Sequence, residues 1–173
     1  MYYAQREKII MKKIIIHWTA GTNQPCNVDY EHYHYLVNKD GVRIKGKFAP
    51  EDNRNCTDNK YAKHCGGGNT NAIGVSMCGM YVPKGVDITE TEYPLTRVQC
   101  EATFKLVAEL CQKYGIRITP QTVLTHYEFG QSHPKTSSYG KIDITYLHPF
   151  PYVSKDEMGD FIRNKVRWYF QKL

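Results

Sequence analysis

His17, His126 and Asp143 are the residues of this chain with the most chemistry in them. Each stands in a local sequence suited to presenting it: Ile14-Ile15-Ile16-His17-Trp18, Val123-Leu124-Thr125-His126 and Gly140-Lys141-Ile142-Asp143. Two imidazoles and one carboxylate, with a fourth position open, are the ligand set of a catalytic zinc rather than a structural one. Lys141, two residues before the carboxylate, adds a fixed positive charge. A histidine at a strand end is nevertheless more often a hydrogen-bonded polar residue than a ligand. Separations this wide do not by themselves show that the three meet, as the spacing in a His-Glu-x-x-His helix does.

The elements that must position them are legible. Lys12 to His17 is an aliphatic, β-branched run and reads as a buried strand. Tyr33–Asn38 and Val42–Phe48 flank Lys39-Asp40-Gly41, a glycine-containing hairpin signal. The polar stretch 50–68 reads as a long functional loop, 73–78 as a central strand, and 81–94 as a second excursion. Leu95 to Tyr114 is the clearest helix, with Thr96 and Gln99 as a capping box, Gly115 as its stop, and Val98, Ala102, Leu106, Ala108, Leu110 and Cys111 as its apolar face. Ile116 to Thr125 reads as a returning strand. Lys155 to Lys172 reads as a second helix, whose stripe of Met158, Phe161, Ile162, Val166, Trp168 and Tyr169 is core packing. Alternating strands and helices predict an α/β fold, a central mixed sheet flanked by helices.

These motifs, in this order, resemble the zinc-dependent N-acetylmuramoyl-L-alanine amidases, a family that includes phage lysozyme-amidases and peptidoglycan recognition proteins. The matching segments are His17-Trp18-Thr19-Ala20, then Tyr33-His34-Tyr35-Leu36-Val37 with Lys39-Asp40-Gly41. They continue with His64 and the run Gly66-Gly67-Gly68-Asn69-Thr70-Asn71, then Thr125-His126-Tyr127-Glu128, then Lys141-Ile142-Asp143. The resemblance implies a single amidase-like domain over 12–173 preceded by an extension at 1–11. It implies Zn2+ on His17, His126 and Asp143, Tyr33 and Lys141 at the catalytic positions, and Thr19, His64 and Asn71 in the substrate cleft. It also implies hydrolysis of the bond between N-acetylmuramic acid and L-alanine in peptidoglycan, as in a phage or prophage endolysin.

The chain departs from the family pattern in three places. Where some members carry a catalytic glutamate after the glycine-rich loop, it has Ser76, which leaves the general base open. The segment 128–140 is longer than in compact members and contains Lys135-Thr136-Ser137, an alternative alignment that would put a poor ligand at the third position. Lys141-Ile142-Asp143 keeps both the lysine and the carboxylate and is preferred. The stretch from Gly21 to Tyr33 leaves little room for the family's first helix, which is expected to be reduced or missing.

Composition bounds the rest. A chain of 173 residues is long enough for one domain with a real core. Six cysteines without a CxxC pair argue against a zinc ribbon. Cys78, Cys100 and Cys111 read as buried thiols. Cys56 and Cys65 flank a polar loop, where a disulfide and free thiols both stay open; adjacent His64 and Cys65 point apart, against a Cys-His nucleophile. Glu128 is a candidate to orient His126, or a surface residue. No apolar stretch reaches the roughly 18 to 20 residues of a membrane span, and residues 1–7 do not read as a signal peptide. Synthesis in the cytoplasm, action on the wall after release, and a monomeric state are expected. The net charge of +6 suits an anionic polymer; with basic residues scattered and no nucleic-acid motif, the wall is preferred over nucleic acid. Two other readings share the residues: a peptidoglycan-binding protein without catalysis, if Asp143 lies outside the site, and a zinc peptidase acting within the stem peptide.

Overall fold

In the computed structural model, which describes residues 11–173, nine helices and strands and two 3-10 turns follow one another in a single α/β domain. The strands are β1 (Lys13–Trp18), β2 (Tyr35–Val37), β3 (Arg43–Lys45), β4 (Ala72–Met77) and β5 (Val123–Thr125). The helices are α1 (Asn27–His32), α2 (Arg97–Tyr114), α3 (His126–Ser132) and α4 (Met158–Phe170). The sheet runs β3-β2-β4-β1-β5. β1 is parallel to β4 and β5, β2 is parallel to β4, and only β3 is antiparallel, so the expected mixed sheet is present.

Strand periodicity sends alternate side chains to opposite faces, and here the faces are unequal. Ile14, Ile16, Trp18, Ile73, Val75 and Met77 enter a large core with Phe104 and Val107 of α2 and Met158, Ile162 and Val166 of α4. Met11, assigned from sequence to an extension, is buried in this core; the rest of that extension lies outside the described residues. The other face carries a small cluster of Ile15, Ala72, Leu124, Phe129 and Cys65. On that face β4 presents Ala72, Gly74 and Ser76, whose small side chains leave volume above the sheet. The His64 ring fills part of it, with its Cγ 2.5 Å from where a Cβ on Gly74 would stand.

Helix α2 starts and stops where its caps dictate. Thr96 Oγ1 accepts from Gln99 N at 3.2 Å, Gln99 Oε1 accepts from Thr96 N at 3.1 Å, and Gly115 closes the helix at φ 66°. Gln99 is fully buried and donates through Nε2 to the carbonyls of Val37 and Cys78, both at 2.9 Å, tying the helix to two strand ends. Leu106, Ala108, Leu110 and Cys111 of the expected face are buried, joined by Gln99, Cys100, Thr103, Phe104 and Val107, while Val98 is exposed.

Other elements are shorter than their sequence patterns. β5 keeps only the last three residues of the predicted strand, because Thr119 O accepts from both Thr122 N and Val123 N and turns the chain beside Pro120. The hairpin strands are three residues each; Asn38 Oδ1 accepts from Asp40 N and Val42 N and shapes the turn. The reduced first helix is α1, six residues long. In α4, Trp168 is 52% exposed rather than in the core. Met158, Ile162 and Val166 recur at four-residue spacing, and a residue two past Val166 lies about 200° further round the helix.

Helices α3 and α4 are locked by one buried cation. Arg163 of α4 donates to Glu128 through both terminal nitrogens, at 2.9 and 3.0 Å, to Asp160 Oδ1 at 2.8 Å and to Val123 O at 3.0 Å. Glu128 also accepts from Thr125 N at 2.9 Å. Glu128 therefore braces the first turn of α3 through Arg163, while the His126 nitrogens face Asp143 and Ser138. Removing one partner of a buried pair leaves the other charge uncompensated. Glu128→Ala is expected to cost about 3 kcal/mol and lower the melting temperature by roughly 10 °C. A calorimetric shift of less than about 2 °C would show Arg163 to be satisfied without it.

Candidate metal centre

His17, next to last in β1, lies on the thin face of the sheet and is completely buried. His126 is the first residue of α3, fixed by a second capping box in which Thr125 Oγ1 accepts from Glu128 N at 3.1 Å. Asp143 reaches the same point from the turn after Gly140, held by a hydrogen bond from Tyr127 N to its own carbonyl at 2.7 Å. The three side chains converge. His17 Nδ1 and His126 Nδ1 stand 3.1 Å apart, and Asp143 Oδ2 lies 3.0 Å from the first and 3.1 Å from the second. Tetrahedral ligand atoms about 2.0–2.1 Å from a zinc-sized ion would be about 3.3 Å apart, so the triangle has the scale of one face of such a site. Among the described residues this is the group that could hold a metal ion.

The hydrogen bonds behind His17 fix which atom it turns forward. His64 Nε2 lies 3.3 Å from Ala72 O, and a carbonyl only accepts, so the proton of His64 sits on Nε2. Its Nδ1 then accepts from His17 Nε2 at 3.0 Å, leaving a lone pair on His17 Nδ1. Burial holds His64 well below its ordinary pKa, keeping it neutral. His17 is lowered to about 4, again chiefly by burial, against the hydrogen bond it donates to Asp143 when protonated. His126 turns its Nε2 to Ser138 Oγ at 3.0 Å.

Without a cation these inward atoms need a proton between them, and the titration of the site reflects that. Burial lowers the pKa of His126, but its hydrogen bond to Asp143, contacts with Cys65 and the Asp143 charge outweigh it and raise the group to about 9. Burial opposes ionisation of Asp143, yet the two histidines hold it well below the usual carboxylate range.

The centre lies in a cavity of about 540 Å³. Thr19, Tyr33, His64, His126, Lys141 and Asp143 line it, with Trp18, Met80, Val82, Ile88 and Ile142 as apolar surface and Lys63 as a second lysine. The Tyr33 ring centroid is 5.2 Å from that of His17. Burial, then the charges of Asp143 and Asp29, push its phenol far up, so it remains protonated. The Thr19 hydroxyl is occupied with the backbone of Gly21 and Gly79. Lys141 is exposed at the rim.

Asn71 is not in the cavity. The register sets Ala72 beside Lys13 and Ser76 beside His17, so Asn71 lies at the far end of β4. There it takes a left-handed turn at φ 56° and its amide donates to Asn53 O. His34 is also structural: Gly74 N donates to its Nδ1 at 2.9 Å, and its Nε2 donates to buried Asn53 at 2.8 Å. Ser76 is fully buried opposite His17 and offers no carboxylate. The thiols of Cys56 and Cys65 are free. Ser137 of the alternative alignment lines the cavity wall but is not in the triangle. The sequence reading missed Lys63, the apolar wall and Ser138; Ser138 carries no signal beyond its place in a serine pair.

The N-acetylmuramoyl-L-alanine amidase family model matches residues 5–141, ending two residues short of Asp143. The endolysin 2638A of Staphylococcus phage 2638A is 27% identical over 167 residues, which cover 91% of this chain and 32% of that protein. The chain thus spans about a third of that relative's length. The amidase LysC from Clostridium intestinale URNW superimposes with a TM-score of 0.54 at 17% identity, covering 92% of this chain and 88% of its own. The Staphylococcus aureus hydrolase AmiA, solved with its ligand, gives a TM-score of 0.54 at 15% identity, covering 94% and 74%. These two likenesses establish the fold.

A divalent ion must displace the proton that His126 holds below about pH 9. Zn2+ affinity is therefore expected to tighten about tenfold per pH unit between roughly pH 6 and 8 and to level off above 9, with one proton released per ion. Titration calorimetry in buffers of different ionisation enthalpy reads both quantities. A pH-independent affinity without proton release would show that His126 is not protonated in the free site.

Proposed function

The chain belongs to the N-acetylmuramoyl-L-alanine amidase family, and from that premise we propose that it hydrolyses the amide joining N-acetylmuramic acid to the L-alanine of the peptidoglycan stem peptide. The observation that carries the reading is the triangle of His17 Nδ1, His126 Nδ1 and Asp143 Oδ2, two members of which, His126 and Asp143, line an open cavity. In the proposal these three hold zinc, favoured over other cations by a nitrogen-rich set of three with room for a fourth partner. Zinc so held polarises a carbonyl as a Lewis acid and lowers the pKa of water.

The chain's own residues supply the rest. Attack on an amide carbonyl puts negative charge on its oxygen, and a fixed donor or cation there stabilises the transition state more than the ground state. Tyr33, beside His17 and protonated at all working pH values, supplies a hydroxyl donor. Lys141 at the rim supplies the cation. The departing amine needs a proton, and Tyr33 and Lys141 are the candidates. His64 is removed from that role, since it is neutral and has both nitrogens engaged with His17 and Ala72. It instead holds His17. Asn71 is withdrawn as a substrate residue by its place at the far end of β4. Thr19 shapes the cavity wall next to His17.

Lys63 and Lys141 among the lining residues, with Asp143 the one carboxylate there and turned to the histidines, suit an anionic wall polymer. The likeness to a phage endolysin supports a lysin made in the cytoplasm that meets the wall after release. No helix among the described residues is long and apolar enough to cross a membrane.

Digestion of purified peptidoglycan, followed by mass spectrometry with and without chelator, tests the proposal. Chelator-sensitive release of stem peptides bearing a free L-alanine amino terminus is expected, with glycan strands intact. Fragments cut inside the stem would replace the amidase by a peptidase, and wall binding without release would leave a recognition module. His17→Ala and Asp143→Ala should lose metal and hydrolysis together. Lys141→Ala should keep the metal and lose rate by about 100- to 1000-fold; unchanged turnover would remove Lys141 from the mechanism.

A further inference from the structure

The segment that lengthens the chain between α3 and Asp143 is packed into the site. It descends through short turns, with Thr136 N donating to His133 O, Tyr139 N to Thr136 O and Lys141 N to Ser138 O, at 3.1 to 3.2 Å. It is seated where only glycine leaves room. A Cβ on Gly66 would fall 1.8 Å from Ser137 Oγ, one on Gly67 2.4 Å from Thr136 Cγ2, and one on Gly130 2.1 Å from the Ser138 carbonyl. Ser138, 1% exposed, is thereby driven between the glycine-rich loop and α3.

Its hydroxyl has a fixed polarity. Gly66 O, 2.7 Å away, can only accept, so the single Ser138 proton goes there. Ser138 Oγ is then left to accept from His126 Nε2 at 3.0 Å, which keeps a proton on Nε2 and makes Nδ1, facing His17 and Asp143, the nitrogen that gives up its proton to a metal. Cys65 Sγ, 3.4 Å from the same oxygen, closes the pocket around it. Resting on the metal-centre reading above, we infer that Ser138 is a positioning residue for His126: the lengthened segment exists in the site as a clamp that selects the tautomer and ring orientation in which His126 binds metal. The clamp parallels the arm from Ala72 O through His64 to His17, but its source is a different part of the chain.

Outer partners of metal-bound histidines typically change affinity by about 10- to 100-fold. The test is titration of the metal-free full chain with Co2+ alone, read by chelator competition and by the visible absorption of the bound ion, in wild type and Ser138→Ala. The expected result is a Kd weakened about 10- to 100-fold with an altered absorption spectrum, while the metal-free variant stays folded with a lowered melting temperature. Wild-type affinity and spectrum in Ser138→Ala would overturn the clamp and leave the metal centre standing. Failure of the wild-type chain to bind Co2+ would overturn both. Should Ser138→Ala not fold, the Zn2+-loaded wild type decides by NMR. A His126 Nε2 proton protected from solvent exchange supports the clamp, and one exchanging freely overturns it.

Discussion

Three lone pairs held about 3 Å apart repel one another unless positive charge lies among them, and the architecture of this domain is organised around maintaining that arrangement. His17 Nδ1, His126 Nδ1 and Asp143 Oδ2 come from the end of a strand, the start of a helix and a turn, at positions 17, 126 and 143. No local interaction brings them together. The arrangement is sustained because each carrier is independently fixed: β1 by ladders on both sides, α3 by its capping box and the Arg163–Glu128 pair, the turn by Tyr127 N. In the metal-free chain a proton on His126, favoured by Asp143, takes the cation's place, while burial keeps the neighbouring His17 and His64 neutral.

The inequality of the two sheet faces follows from the same demand. One face carries the large apolar core beneath α2 and α4 and supplies most of the burial that stabilises the domain. The other is thin, and its β4 residues Ala72, Gly74 and Ser76 are small because polar side chains, not aliphatic ones, must be accommodated above them. Buried polar groups are costly unless paired. Here the pairing runs through His64 and Ser138 to the carbonyls of Ala72 and Gly66, so the polarity of the site is grounded in backbone that cannot reverse its role.

Membership in the N-acetylmuramoyl-L-alanine amidase family and the geometry of the site bear on different residues. The family match stops before Asp143, and the choice between Asp143 and Ser137 as third ligand rests on position in space. Ser76 is buried and offers no carboxylate, while Tyr33 and Lys141 stand among the residues that line the cavity. That distribution, a phenol and lysines lining the cavity with the carboxylate turned to the histidines, is the one on which the proposed amide hydrolysis rests.

What the sequence determined by itself was whatever short-range physics controls. The β-branched run before His17, the Thr96–Gln99 box, Gly115 and the motif order announced the strand, the helix and the family, because caps, periodicity and turn chemistry act over a few residues. Patterns without such punctuation misled. Val98 and Trp168 looked like core and are exposed, since hydrophobicity alone does not say which side of a helix meets the sheet. Asn71 looked like a cleft residue and lies at the wrong end of its strand, since register is a property of pairing between strands. Glu128, which by sequence could equally orient His126 or lie on the surface, belongs to Arg163, 35 residues away. Only the tertiary structure set Ser138 behind His126 and His64 behind His17. Such contacts are made by distant segments meeting on one sheet face, and nothing in the spacing of a chain records where its segments will meet.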